Sequence, residues 1–363
     1  MTEKMMKAEG KIGAEQAEAL LATVDAAHAD IDFAEVTDIN FAALRCFLDA
    51  RRAGKRFAIV NAADAVAEKF EDSGVSAVVS VSRKPKPLDM SKYEVFGESF
   101  LSKAYNSEDG DAMIKVYGPH FPARMVAQEK AMARAVMLFG LPTPLVGTIY
   151  SDGQSTALDY ERIPGKRSFS RIISEEPERL EEITVRFAAM CKQLHSTPCD
   201  TAVFPDRTEA YRSVVMRCDR LDEAEKAKLL AFIDSVPKAA TCLHGDLQLS
   251  NVINSPRGDM WIDLSDFSYG NPMLDIGMWY FLSKLNTEER CQHLFHLGKA
   301  QMAQVWDVFS REYFGADTPE ALAEAEKRVL PFAALHMIYL CVNYWYEPGL
   351  FEASHAILFE NAA

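Results

Sequence analysis

The sequence predicts an α+β protein in three parts: a small α/β domain, a small β-rich lobe with one long helix, and a large helical lobe. Three observations carry this. Helical and strand patterns alternate through the first 81 residues. A stretch with two prolines and four basic residues in eleven positions, 82–92, then interrupts the chain and reads as an exposed linker. After Gly165 the pattern is helical, apart from a strand–loop–strand region between Cys242 and Leu264.

In the first part, 14–27 is Ala/Leu-rich with Leu20, Leu21 and Val24 on one face, a helix. Residues 29–36 place Ile31 and Phe33 in alternation and predict a strand. Residues 41–53 are helical and stop at Gly54. Short apolar strands are expected at 57–60 and 77–81, with a helix at 63–72 between them. In the second part, 93–105 and 112–117 read as two strands around a turn at 106–110. A helix is expected at 123–140, and two more strands at 142–150 and 155–160.

The chain of 363 residues is comfortable for two domains. With 48% hydrophobic and 25% charged residues its composition is that of a soluble globular protein. A formal net charge of −14 repels phosphate backbones and argues against nucleic acid as a partner, while weakly favouring a cationic one. The N-terminus lacks the apolar core of a signal peptide. The apolar stretch 332–346 is interrupted by His336 and Asn343 and is short for a membrane span, so it reads as a buried helix. Seven scattered cysteines form no C-x-x-C pair, which argues against a disulfide framework or a zinc site. The cytoplasm is the compartment these features fit.

The densest chemical signal is His244-Gly245-Asp246-Leu247-Gln248-Leu249-Ser250-Asn251, followed twelve residues after Asn251 by Asp263 at the end of the apolar run Met260-Trp261-Ile262. Asp246 and Asn251 stand five apart, as do the Asp and Asn of a kinase catalytic loop. Phosphoryl transfer needs these residue types together. A carboxylate orients the incoming hydroxyl and accepts its proton, and the charge of the triphosphate is neutralised by Mg²⁺, a hard ion that takes oxygen ligands. A third element, Gly270-Asn271-Pro272-Met273-Leu274-Asp275, follows. Upstream, Met113-Ile114-Lys115-Val116-Tyr117 is an apolar run with one central lysine, costly to bury unless paired. Glu129 lies in the helix that comes next. His293 and His296 are three apart without a third metal ligand in view and read as an ordinary helix face.

In order, H-G-D-x-x-x-x-N, an apolar strand ending in Asp, and G-x-P-x-x-D resemble the aminoglycoside phosphotransferase and choline kinase group, a branch of the protein-kinase-like fold. The resemblance implies a two-lobed fold, with a β-rich N-lobe at 93–163 and a helical C-lobe at 164–363. It implies ATP and Mg²⁺ as cofactors and a small-molecule alcohol as acceptor. Asp246 would be the catalytic base, and Asn251 and Asp263 would hold Mg²⁺. Lys115 would meet the ATP phosphates, held by Glu129. Leu158-Asp159-Tyr160-Glu161-Arg162-Ile163-Pro164-Gly165 resembles the hinge whose backbone, near Glu161 and Ile163, meets adenine. Asp275 would tie down the loop after Asp263, and His195 would be structural. Two departures stand out. The phosphate-covering segment 96–105 has one glycine, Gly97, where kinases have three, so that Ser99 and Ser102 substitute. The group also often has His where Gln248 stands.

Residues 1–85, before a linker at 86–92, resemble a STAS domain, the fold of bacterial anti-sigma-factor antagonists, through 31–44, 56–61 and Gly74-Val75. Asn40 and Phe41 occupy the places of that family's aspartate and phosphorylatable serine, and a phenylalanine cannot be phosphorylated. The family's first strand looks short or absent. The expected roles of this domain are binding a protein partner or self-association. A rival to the enzyme reading follows: a nucleotide-sensing, non-catalytic protein that reports to a partner through this domain.

Overall fold

The computed structural model describes residues 4–24, 29–98, 102–107, 110–344 and 346–360. They form two compact units, Met1–Gln128 with Val146–Glu161, and Glu129–Leu145 with Arg162–Ala363.

The first unit begins with β1 (Lys4–Ile12), α1 (Ala14–Ala22), β2 (Ala29–Ile39), α2 (Phe41–Arg52), β3 (Phe57–Ala62), α3 (Asp64–Asp72) and β4 (Ser80–Arg83). The four strands pair in chain order, each parallel to the next. The nine-residue β1 corrects the expectation of a short or absent first strand. Its inward positions, Met6, Ala8 and Ile12, are buried but small or separated by Lys, Glu and Gly, so its alternation is faint. The α1 helix ends at Ala22 rather than at 27, and 25–28 lie outside the described residues. Asn40 caps α2, its Oδ1 accepting from the Ala43 N–H at 2.9 Å. Phe33, Phe47, Phe57 and Phe70 from strands and helices meet in one core with ring centroids 5.8–6.3 Å apart.

The same unit continues with β5 (Lys86–Pro87), β6 (Tyr93–Glu98), β7 (Ser102–Ser107), β8 (Ala112–Tyr117), the start of α4 (Ala123–Phe139), β9 (Val146–Ser151) and β10 (Thr156–Glu161). The sheet order is β5-β9-β10-β8-β7-β6. Two expectations change here. The single strand at 93–105 is an antiparallel pair, β6 with β7. The linker is not free chain: Lys86 and Pro87 pair in parallel with Tyr150 and Ser151 at the sheet edge.

The second unit holds β11 (Arg167–Ser168), α5 (Phe169–Glu175), α6 (Leu180–Ser196), α7 (Arg207–Arg217), α8 (Glu223–Ser235), β12 (Thr241–Leu243), β13 (Val252–Ser255), β14 (Gly258–Trp261), β15 (Ser268–Gly270), α9 (Met273–Tyr280), α10 (Glu288–Phe295), α11 (Lys299–Phe314), α12 (Pro319–Asn343) and α13 (Pro348–His355). Its core gathers Phe187, Trp279, Phe295, Trp306 and Phe309. The apolar stretch at 332–346 falls mostly in the 25-residue α12, and among the described residues no helix is long and apolar enough to cross a membrane. α9 and α12 pack so closely at Gly277 that a Cβ there would lie 2.5 Å from Phe332 Cβ and 2.9 Å from the Ala333 nitrogen. Gly277→Ala should therefore destabilise the protein by about 1–3 kcal/mol, read as a lower midpoint in urea.

Candidate active site

Two hairpin-like pieces of the second unit position the residues singled out in the sequence. β12 pairs with β15 and delivers His244, Gly245 and Asp246 at its end. β13 and β14 are antiparallel with Val252 opposite Trp261, so Asn251 and the pair Ile262-Asp263 come to the same end of the hairpin. The Ile262 N–H donates to the Asn251 carbonyl at 3.0 Å, and the Ile262 carbonyl meets His244 Nε2 at 3.1 Å. Both ends of the 244–251 loop thus meet the backbone of Ile262.

Asp246 sits at the centre. Gln248 Nε2 donates to its Oδ1 at 3.1 Å and its Oδ2 at 3.0 Å. Asn251 Nδ2 donates to Oδ2 at 2.8 Å and to the Asp246 carbonyl at 2.9 Å. Enclosure of the carboxyl, reinforced by the negative charges of Asp266 and Asp263, pushes its pKa up to about 7, against the downward pull of the Asn251 and Gln248 hydrogen bonds. Asp263 has a left-handed backbone, φ 56°, where the chain leaves β14. Strained backbone of this kind clusters at functional positions.

The loop is held from behind by groups that are themselves buried. Asp275 accepts from the His244 N–H at 2.7 Å and the Gly245 N–H at 3.0 Å, and His195 Nε2 lies 3.2 Å from its Oδ2. Burial works to raise the Asp275 carboxyl, but His195 and the His244 N–H outweigh it and hold the group below the usual carboxylate range. This corrects the role expected of Asp275: it anchors the turn before Asp246 rather than the loop after Asp263. His195 is completed by Tyr313, whose hydroxyl is 2.7 Å from Nδ1. Burial also lowers the His244 pKa, against the attraction of Asp275 and Asp263.

Residues that sequence reasoning missed complete the arrangement. Arg207, almost fully buried at the start of α7, donates to the Gly245 carbonyl at 2.9 Å and to Asp266 Oδ1 at 3.2 Å, and its guanidinium lies over the rings of Tyr211 and Tyr339. Its partners lie 38 and 59 residues away in sequence, so no local motif signals it. Burial lowers the Lys166 pKa, against the attraction of the Asp263 carboxylate. Only its place just after Gly165 could have drawn attention to it.

The other predicted residues are distributed as follows. Ile163 is buried against Ile253, Met260 and Ile262 of the β13–β14 hairpin. Its side chain is committed to packing, so only its backbone remains for a ligand. Glu129 is buried in α4 and belongs to the second unit. Lys115 and Glu161 belong to the first unit. Lys115 stands in mid-strand on β8, opposite Leu158 of β10 and Ala104 of β7, with its ammonium 5.3 Å from the Tyr117 ring centroid. Glu161 ends β10. Ser99 lies outside the described residues, and Ser102 is a buried position at the start of β7.

The donor set suits a magnesium–triphosphate. Asn251 spends its amide nitrogen on Asp246, and among the described residues no donor takes its Oδ1, which leaves a hard oxygen for a cation. Asp263 follows Ile262, whose N–H is bonded to the Asn251 carbonyl. Two protein ligands with the remainder drawn from phosphates and water is the usual way Mg²⁺ is bound in phosphoryl-transfer sites. Among the described residues, no group of three or more His, Cys, Asp or Glu could hold a metal ion.

A family model described as "Phosphotransferase enzyme family" matches residues 96–305. No curated protein sequence matches the chain. Among solved structures, a thermostable mutant of aminoglycoside phosphotransferase APH(4)-Ia in ternary complex with AMP-PNP and hygromycin B is similar at 15% identity and TM-score 0.51, over 75% of this chain and 95% of that one. A second structure of that enzyme, with ADP and hygromycin B, is similar at the same identity, score and coverage: 15%, 0.51, 75% and 95%. A choline/ethanolamine kinase family protein from Mesorhizobium loti is similar at 16% identity and TM-score 0.46, over 74% of this chain and 88% of that one. At 15% identity the two complexes establish a shared fold.

Proposed function

Because the chain belongs to the phosphotransferase enzyme family, we propose that it is an ATP-dependent small-molecule kinase in which Asp246 is the base that takes the proton of an alcohol acceptor. The observation that carries this is the capture of one carboxylate by Gln248 and Asn251, two and five residues further along the same loop, in the neighbourhood of Asp263. We assign residues 1–85 to an appended α/β domain of STAS type, 93–163 to the N-lobe and 164–363 to the C-lobe.

The chain's own groups divide the work. Lys115 binds the phosphates and Glu129 supports it. Ser99 belongs to the loop that covers the phosphates. The backbone at Glu161 and Ile163 receives the adenine. Asn251 and Asp263 hold Mg²⁺, which when bound neutralises the charge of the triphosphate. Asp246 orients the acceptor hydroxyl and removes its proton as the γ-phosphoryl group passes to that oxygen, so positioning and charge neutralisation supply most of the rate enhancement. The AMP-PNP and ADP bound in the two aminoglycoside phosphotransferase structures support ATP as the donor, and their hygromycin B supports a small-molecule acceptor.

A thermal-shift titration with ATP tests the nucleotide site. Ligand at about 100 times Kd stabilises by roughly 2.7 kcal/mol. Wild type should show a shift that requires Mg²⁺, and Asp263→Ala should lose the Mg²⁺-dependent part. The same shift in both proteins would remove Asp263 from the metal site.

One observation favours a second role for the first domain. Phe41, at the start of α2, is 82% exposed. Aromatic side chains such as phenylalanine are enriched at the buried centres of protein interfaces. In that reading the domain binds a protein partner and the kinase-like part senses nucleotide. A chain that binds ATP without turning it over, and whose Phe41→Asp variant keeps ATP binding but loses a co-purifying protein, would support it.

A further inference from the structure

Gln248 lies two residues after Asp246 and three before Asn251, in extended backbone (φ −158°, ψ 159°) at the head of the short 3₁₀ turn Leu249–Asn251. The Asn251 N–H returns to the Gln248 carbonyl at 3.0 Å, so the two amide side chains leave opposite ends of one turn. Buried Leu247 and Leu249 flank Gln248 and fix its backbone. Its amide must present nitrogen to the Asp246 carboxylate, because the reverse orientation would set its carbonyl oxygen against two negative oxygens.

Each carboxylate oxygen has two lone pairs to offer. Oδ2 receives two donors, Gln248 Nε2 at 3.0 Å and Asn251 Nδ2 at 2.8 Å. Oδ1 receives one, Gln248 Nε2 at 3.1 Å. An incoming hydroxyl therefore finds an open acceptor position on Oδ1 and none on Oδ2.

We propose that Gln248 is a positioning residue that, with Asn251, saturates Oδ2 of Asp246 and directs the acceptor hydroxyl to Oδ1. This rests on the phosphotransfer reading above. In the step it serves, the hydroxyl proton passes to Oδ1 while the acceptor oxygen bonds to the γ-phosphorus. The bond between that phosphorus and the β–γ bridging oxygen breaks, and its electron pair leaves on ADP. Gln248 touches neither substrate nor phosphate. It acts by denying the carboxylate its other orientations.

The test is ADP release from Mg·ATP by the full chain, measured with water as acceptor and with a panel of alcohols, for wild type, Gln248→Ala, Gln248→Glu and Gln248→His. A hydrogen bond to a charged group is at stake, so Gln248→Ala should lower kcat about 10- to 100-fold while KM for ATP stays within about twofold. Gln248→Glu keeps the shape but replaces the donor by an acceptor, and should lose at least as much. Gln248→His restores a donor and should recover most of the rate. That recovery separates positioning from a merely structural role, which a ring of different shape would not rescue. Wild-type kcat in both the Ala and Glu variants, or a loss confined to KM, would overturn the assignment and leave the phosphotransfer reading intact. No ADP from wild type with any acceptor would overturn both.

Discussion

Asp246→Asn should lower ATP-dependent phosphorylation by roughly 10³-fold, the scale of a lost general base, while ATP affinity measured by calorimetry stays near that of wild type. The substitution keeps the shape of the side chain and an oxygen for Gln248 and Asn251 to donate to, so the loop should remain in place. What is lost is a group able to accept the hydroxyl proton. The same variant carries a stability prediction of the opposite sign. The Asp246 carboxyl has a folded pKa of about 7 against an ordinary value of 3.8. In metal-free buffer the unfolded chain loses this proton as pH rises past 4, whereas the folded chain holds it until near 7. The folded state therefore binds more protons through that window, and wild-type stability falls as pH rises, by up to roughly 4 kcal/mol. Asn carries no such charge. In the presence of a chelator Asp246→Asn should melt above wild type at pH 8, with the gap closing as pH falls toward 4. A variant that is both inactive and less stable at pH 8 would show that the carboxylate is a structural group.

The second large effect is expected at Gly245. Its φ of +81° lies in the left-handed region, and a Cβ there would sit 1.9 Å from the Asp266 carbonyl oxygen and 2.6 Å from the Asp266 carbonyl carbon. Both of the contacting atoms are backbone, so no side-chain rotation relieves the overlap. Gly245 is also where the two buried anchors grip the loop, with its N–H on Asp275 and its carbonyl on Arg207. Gly245→Ala must shift one of these or the segment around Asp266. A cost of more than about 3 kcal/mol is expected from strain and overpacking together, with loss of turnover in whatever protein folds. Urea denaturation and an ADP-release assay check the two parts. A variant with wild-type stability would mean that the loop is free to move.

The sequence made legible what local spacing encodes. Asp246 and Asn251 lie on one short turn, so their distance in the chain predicts their meeting in space. Asp263 could be placed because it closes an apolar strand whose partner begins right after Asn251. The residues that hold this loop were harder to read. Arg207 meets Gly245 and Asp266 only after α7 packs beside β12 and β15, and nothing near Arg207 in the chain announces this. Asp275 was recognised but given the wrong loop, because its G-x-P-x-x-D surroundings say that it lies at a helix start and not which backbone N–H groups it faces. The role of Gln248 depends on the extended backbone at that residue, which a residue name does not convey. In the fold, β1 escaped notice because Lys, Glu and Gly separate its few buried residues. The β6–β7 pair was read as one strand because 98–102 carries no Gly, Pro or Asn to mark a turn.

Phosphorus NMR of ATP incubated with Mg²⁺ and a panel of alcohols tests the central claim most directly, with wild type and Asp246→Asn side by side. The account predicts a phosphomonoester signal that grows with ADP for at least one alcohol in wild type and is absent in the variant. Equal product formation by both proteins would contradict the assignment of Asp246. Folded wild-type protein that binds ATP and transfers phosphate to none of the alcohols would contradict the kinase reading itself and leave the nucleotide-sensing, partner-binding protein in its place.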